Sequence, residues 1–173
     1  IYGIQPWNFP LYQVVRYSIA NLMAGNTVLL KHAANVWGMA LEVEKLYRDG
    51  GLPHHAFRTL LIDHETSDEV IEHKLVRGVT LTAGSYVAQR AAKVLKKTVM
   101  ELGSNDAYLV LADADIEKAV EFCVLGRINN TGQTCVAAKR FIIVESVYDA
   151  FRDAFVAAMG KIVVGDPTSK DTV

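Results

Sequence analysis

Apolar residues recur along the chain in two alternating periods, one helical and one extended. Residues 11–23 carry apolar side chains at helical spacing and stop at Ala24-Gly25-Asn26, a stretch suited to capping a helix. Residues 27–31 form a short apolar run, as a buried strand does. Helical spacing returns over residues 36–47 and closes at Gly50-Gly51. Residues 57–62 read as a strand, and residues 67–73 as a short helix with Ser67 as its N-cap. The β-branched run at 79–82 predicts a strand, and residues 86–96 a helix that is basic near its C-terminal end, as the macrodipole favours. Strands follow at 98–102 and 108–111. A helix with an acidic start covers 115–128, a strand 140–144, and an amphipathic helix 148–159. The opening segment breaks this rhythm. Pro6 and Pro10 disfavour helix in the residues before them, so residues 2–10 are predicted to be extended or turn.

Strands alternating with helices of this length predict an α/β fold with a mainly parallel, Rossmann-like sheet flanked by helices. In such folds ligands bind beyond the carboxyl ends of the strands. The turns after Lys31, Thr82 and Glu101, and the loop carrying Cys135, are therefore the places to look for chemistry. No G-x-G-x-x-G occurs, so a nucleotide has to be held without the usual pyrophosphate loop.

Composition narrows the classes. The formal net charge of −1 gives no global attraction to nucleic acid or to an anionic membrane. The apolar runs are strand-length, well short of the roughly 18 residues of a membrane span. The chain opens on Ile1 and shows no signal-peptide pattern. Two cysteines are too few for a disulfide framework, and no Cys/His spacing suggests zinc, which points to free thiols in a reducing, cytoplasmic setting. Cys123, among Ala119, Val120, Phe122 and Val124, reads as a buried helix cysteine.

Four segments carry candidate chemistry. In Asn130-Thr131-Gly132-Gln133-Thr134-Cys135 the cysteine sits in a polar loop between a helix and a strand, where reactive groups are held by a scaffold. In Val99-Met100-Glu101-Leu102-Gly103 the glutamate ends a hydrophobic strand, as either a solvated terminus or a partly buried general base. In Pro6-Trp7-Asn8-Phe9-Pro10 two prolines stiffen the chain around an amide that either satisfies its own turn or donates to an oxyanion. Lys31 ends a buried strand and either snorkels outward or bonds a polar ligand. His32, with no carboxylate or second histidine beside it, reads as structural or exposed.

The order of these segments is specific. Pro-Trp-Asn-Phe-Pro at 6–10, Gly-Asn-Thr-Val-Leu-Leu-Lys at 25–31, Glu-Leu-Gly at 101–103 and Asn-Thr-Gly-Gln-Thr-Cys at 130–135, with Lys139-Arg140-Phe141-Ile142 and Gly165-Asp166-Pro167, resemble the aldehyde dehydrogenase superfamily over essentially the whole chain. Lys31-His32-Ala33 and the residues from Cys135 to Arg140 look most like its bacterial succinate-semialdehyde dehydrogenase branch. The resemblance implies that Cys135 attacks the aldehyde as thiolate, that the Asn8 amide and the Cys135 backbone N–H hold the oxyanion, and that Glu101 activates the water that hydrolyses a thioester. It implies that Lys31 bonds a ribose hydroxyl of NAD or NADP, with Trp7 and Leu102 along the cofactor by backbone contacts. Ala34 stands where NAD-preferring members commonly carry a glutamate, so NADP or dual use is expected. Arg16, eight residues after Asn8, takes the place of an arginine associated with the substrate carboxylate. Asn129 stands where a second arginine is often found.

The resemblance further implies a cofactor-binding region at 1–103 and the start of a catalytic domain at 104–173, with N- and C-terminal parts of the family fold outside the chain and a homo-oligomer when full length. It departs from the family at two points. Thr82-Ala83-Gly84-Ser85 replaces a Thr-Gly-Ser turn, about four residues being absent, so Gly84-Ser85 is not assigned to phosphate. Ser104 replaces a glycine, which is expected to restrict a backbone that otherwise uses positive φ. Two alternatives stay open: a catalytically incompetent nucleotide-binding fragment, and a coenzyme A-acylating aldehyde dehydrogenase. A cysteine hydrolase lacks support, because all five histidines precede residue 74.

Overall fold

The computed structural model describes residues 1–82 and 85–172, in two compact units: Ile1–Leu102 and Gly103–Val173. In the first unit five parallel strands form one sheet in the order β3-β2-β1-β4-β5. The strands are β1 (Tyr2–Gln5), β2 (Val28–His32), β3 (Phe57–Thr59), β4 (Gly78–Thr82) and β5 (Lys97–Glu101). Helices α1 (Pro10–Met23), α2 (Trp37–Asp49), α3 (His64–Glu72) and α4 (Ser85–Lys93) make the crossovers.

Side-chain alternation along the strands divides the core in two. Val28 and Leu30 face one side and pack with Val14 of α1, Ala40 and Val43 of α2, and Phe57. Tyr2, Val79, Ile71 of α3 and Ala91 of α4 pack on the other side, with Ile4 and Leu29 against them. Helices thus cover both faces over β1, β2 and β4, while β5 at the sheet edge stays largely exposed. Gly3 lets α1 lie close: a Cβ there would overlap the Tyr17 ring, whose hydroxyl donates to the Leu29 carbonyl at 3.3 Å.

Several local expectations change. Residues 2–5, expected only as extended or turn, form the central strand, because β2 and β4 pair with it on either side. Ser67 is not a cap. Helix α3 starts earlier, at Asp63, whose carboxylate accepts from the Thr66 N–H at 2.8 Å. Ser67 is buried inside α3 and shares a 2.7 Å hydrogen bond with the Tyr2 hydroxyl, and burial pushes that phenol up to about 12. Helix α4 stops at Lys93, because Leu95 turns left-handed (φ 53°) and the Lys96 N–H closes on Ala91. The Lys96 ammonium then bonds the carbonyls of Ile71 and His73 and so closes α3 instead.

In the second unit β6 (Ala107–Val110) and β7 (Arg140–Ile143) pair in parallel, with α5 (Ile116–Ile128) and α6 (Glu145–Met159). Val110, Val120, Cys123 and Phe151 form its core, and Phe141 meets Phe155 at 4.9 Å between ring centroids. Cys123 is buried there, and burial pushes its thiol pKa up. Among the described residues no helix is long and apolar enough to cross a membrane, and no cluster of three or more His, Cys, Asp or Glu could hold a metal.

Candidate active site

The strand order reverses direction between β1 and β4, which is the switch point where open parallel sheets bind ligands. The segment leaving β1 carries Trp7 and Asn8. Trp7 is exposed and Asn8 half-buried. This segment is fixed at both ends. Gln5 ends β1 and accepts from Thr82 at 3.1 Å, while Pro10 opens α1 at a position where no backbone N–H is needed. His32, fully buried at the end of β2, has Nε2 2.9 Å from the Pro10 carbonyl, and the Ala33 N–H donates to its Nδ1 at 3.0 Å. We assign the proton to Nε2, so that His32 donates to Pro10. Of the two readings of His32, the buried structural one holds. Its role in bracketing the Asn8 segment had no signal in sequence.

Lys31 precedes His32 and is only 6% exposed. Burial lowers its ammonium pKa, and the charge of Asp63 works in the opposite direction. Among the described residues its ammonium makes no hydrogen bond. An ammonium on a largely buried stem, with three unused donors, suits the hydroxyl or phosphate oxygens of a nucleotide, so the residues present fit NAD(P). Ala34 is exposed at the start of a 3-10 turn, Ala34–Val36, and brings no carboxylate. The proximity of Asp63 to Lys31 was not readable from sequence. It follows from the pairing of β2 with β3, which directs the chain after β3 past Lys31.

Glu101 ends β5 in register with Thr82, and Leu102 follows it, exposed. Lys31 and Glu101 lie three strand spacings apart, about 14 Å along the sheet edge at ~4.8 Å per spacing. Arg16, on α1, donates through Nη2 to Glu101 Oε1 at 2.7 Å, with side chains 50% and 41% exposed. Two residues expected in separate roles are therefore in direct contact. A cavity of about 300 Å³ adjoins the pair, lined in part by Gln5, Gln13, Thr80 and Thr82. Residues 83–84, which bear on the expected phosphate turn, lie outside the described residues.

Cys135 belongs to the second unit and is half-buried. The chain leaving α5 makes a short turn, Asn129–Gly132, with left-handed φ at Asn130 (52°), Thr131 (58°) and Gly132 (73°). Positive φ in two consecutive non-glycine residues stores strain, and the surroundings hold it in place. The Arg127 guanidinium spans the loop, donating to the Gly132 carbonyl at 3.0 Å and the Ala138 carbonyl at 2.7 Å. The Thr134 hydroxyl donates to Asn129 at 3.2 Å. The carbonyl of Cys135 accepts from Lys139 Nζ at 2.6 Å, and the Ser104 hydroxyl lies 2.8 Å from it. Ser104 also approaches the Asp106 carboxylate, and its single proton serves one acceptor at a time. The strain expected at Ser104 is not found, since its φ is not positive; the side chain instead reaches the Cys135 loop.

The model of the aldehyde dehydrogenase family matches residues 1–173. A succinate-semialdehyde dehydrogenase [NADP(+)] of Mycobacterium tuberculosis is 45% identical over 176 residues, covering 99% of this chain and 38% of the relative. A succinate semialdehyde dehydrogenase [NAD(P)+] of Escherichia coli is 43% identical, covering 99% and 38%. The crystal structure of a succinic semialdehyde dehydrogenase from Streptococcus pyogenes, in complex with NADP+, superposes with a TM-score of 0.95 at 35% identity, covering 99% of this chain and 39% of that one. The chain thus spans about 38% of the length of the curated relatives it matches.

Proposed function

The chain belongs to the aldehyde dehydrogenase family, and on that premise we propose that it carries the nucleophile, the general base and part of the cofactor edge of an enzyme that oxidises succinate semialdehyde with NADP or NAD. The observation that carries the substrate reading is Arg16. Its half-exposed guanidinium stands at the active edge and is already engaged with a carboxylate. The names of the similar proteins from three bacteria support the same reading.

In this mechanism the Cys135 thiolate adds to the aldehyde carbon. The Asn8 side-chain amide and the Cys135 backbone N–H donate to the resulting oxyanion. When bound, NAD(P) would supply the hydride acceptor needed for the thiohemiacetal to become a thioester. Glu101 then takes a proton from water as its oxygen bonds to the acyl carbon; the C–S bond breaks and Cys135 leaves as thiolate. Lys31 donates to the cofactor's ribose, with Trp7 and Leu102 beside it. Ala34, lacking a carboxylate, leaves room for a 2′-phosphate, which favours NADP. The loop clamped by Arg127 and Lys139 keeps Cys135 in one geometry.

The test is a steady-state assay of the complete enzyme with succinate semialdehyde and with butanal, each with NADP and NAD. A higher kcat/KM for the semialdehyde, lost in Cys135→Ala, is expected. Equal turnover of butanal removes the semialdehyde. Turnover only when coenzyme A is added replaces hydrolysis with acyl transfer to that thiol. Turnover by Cys135→Ala overturns the mechanism.

A further inference from the structure

We propose that Arg16 is a positioning residue for Glu101 as well as a ligand for substrate, and that an incoming carboxylate frees the base by displacing it from Arg16. The inference rests on the roles proposed above for Arg16, Glu101 and Cys135. Its ground is the contact between two residues whose tasks belong to different steps. Arg16 Nη2 donates to Glu101 Oε1 at 2.7 Å, across 85 residues of sequence. Arg16 makes no other hydrogen bond or ion pair among the described residues, and neither does the Glu101 carboxylate.

The pair turns the Glu101 carboxylate toward α1 and occupies Oε1. A carboxylate held by a guanidinium through one oxygen is less free to turn toward a water at the acyl carbon. The pair is also exchangeable. Both side chains are about half exposed, and exposed ion pairs are weak enough for a second carboxylate to compete. The cavity beside them offers amide and hydroxyl groups from Gln5, Gln13, Thr80 and Thr82. A substrate that carries its own carboxylate takes over the guanidinium, and Glu101 is released when a thioester of that substrate needs water activated. An aldehyde without a carboxylate leaves Glu101 paired. Arg16 thereby sets specificity in hydrolysis as well as in binding.

The test separates hydrolysis from oxidation and needs no cofactor. In the complete enzyme, 4-nitrophenyl acetate acylates Cys135, releasing 4-nitrophenolate, and the acetyl thioester is then hydrolysed with Glu101 as base. Added acetate supplies the missing half of a succinyl group. The burst of nitrophenolate reports acylation and the steady state reports hydrolysis. The wild type is expected to hydrolyse faster with saturating acetate, by about fivefold, the factor matching an exposed pair of ~1 kcal/mol, and not with chloride at equal ionic strength. Arg16→Gln is expected to keep the burst, to hydrolyse faster than wild type without acetate, and to ignore acetate. Arg16→Lys, which retains a charge, is expected to respond to acetate. A wild type indifferent to acetate, or an Arg16→Gln variant that still responds, overturns the inference and leaves the oxidation mechanism standing. Absence of any burst in the wild type overturns the cysteine mechanism, and this inference with it.

Discussion

At the scale of single residues, the proposed cofactor ligand Lys31 works against the fold. Its side chain is almost wholly buried, its ammonium makes no hydrogen bond among the described residues, and burial lowers its pKa. The sign of the consequence follows from linkage. Below the lowered folded value both folded and unfolded chains hold the proton, and the folded state bears the cost of partly desolvating the charge. As pH rises through the window between the lowered folded value and the ordinary 10.5, the unfolded chain holds more protons, so stability rises with pH. Lys31→Met is therefore expected to raise the melting temperature at pH 7, with the advantage shrinking toward pH 10.5. The same variant is expected to weaken NADP+ binding about tenfold or more, the worth of a charged hydrogen bond, as measured by calorimetric titration. A variant less stable at pH 7 with unchanged affinity would show that Lys31 serves packing and not the nucleotide.

At the scale of elements, the fit of α1 on the sheet decides where Asn8 and Arg16 point. Gly3 in β1 and Tyr17 in α1 meet with no space for a Cβ, and the neighbouring Ser18 hydroxyl, buried, bonds the Val14 carbonyl at 2.6 Å and the Tyr47 hydroxyl at 2.7 Å. The Tyr17 phenol, half-buried and bonded to the Leu29 carbonyl, has its pKa raised well above the ordinary value by burial and cannot swing out without exposing an apolar ring. Gly3→Ala is expected to cost about 1–3 kcal/mol through overpacking, seen as a lower urea midpoint at unchanged m value. An unchanged midpoint would mean that α1 can shift outward freely. This contact also shows why some of the fold was hidden in the sequence. Alternating apolar periods made most helices and strands visible, since each buries one face. Residues 2–5 escaped because a four-residue strand just before Pro6 carries almost no period; its identity comes from β2 and β4 on either side. Ser67 misled for a related reason. A serine near a helix start resembles a cap until the Tyr2 hydroxyl, 65 residues away, occupies it.

At the scale of the whole molecule, the proposed chemistry is divided between the two units. The first unit carries Asn8, Lys31, Arg16 and Glu101 on one sheet edge, and the second carries Cys135 in a clamped, left-handed turn. Cys135 and Glu101 stood out as candidates in the sequence because their local motifs are unusual: a cysteine in a polar loop, and a carboxylate ending an apolar strand. What could not be read were contacts that depend on chain crossing, such as Arg16 with Glu101 and Ser104 with the Cys135 loop. The division gives a separable expectation for the complete enzyme. In the proposed mechanism the base acts only after the cysteine has been acylated, so Glu101→Gln should still form the thioester but fail to hydrolyse it. Rapid mixing with saturating aldehyde and NADP is expected to give a burst of NADPH near one per Cys135, followed by a steady-state rate lowered about 10²-fold or more, the typical contribution of a general base. Cys135→Ala should give no burst at all. Full steady-state turnover in Glu101→Gln would transfer the base role to another residue. A burst lost together with turnover would mean that Glu101 is needed before the thioester forms, as an activator of the thiol.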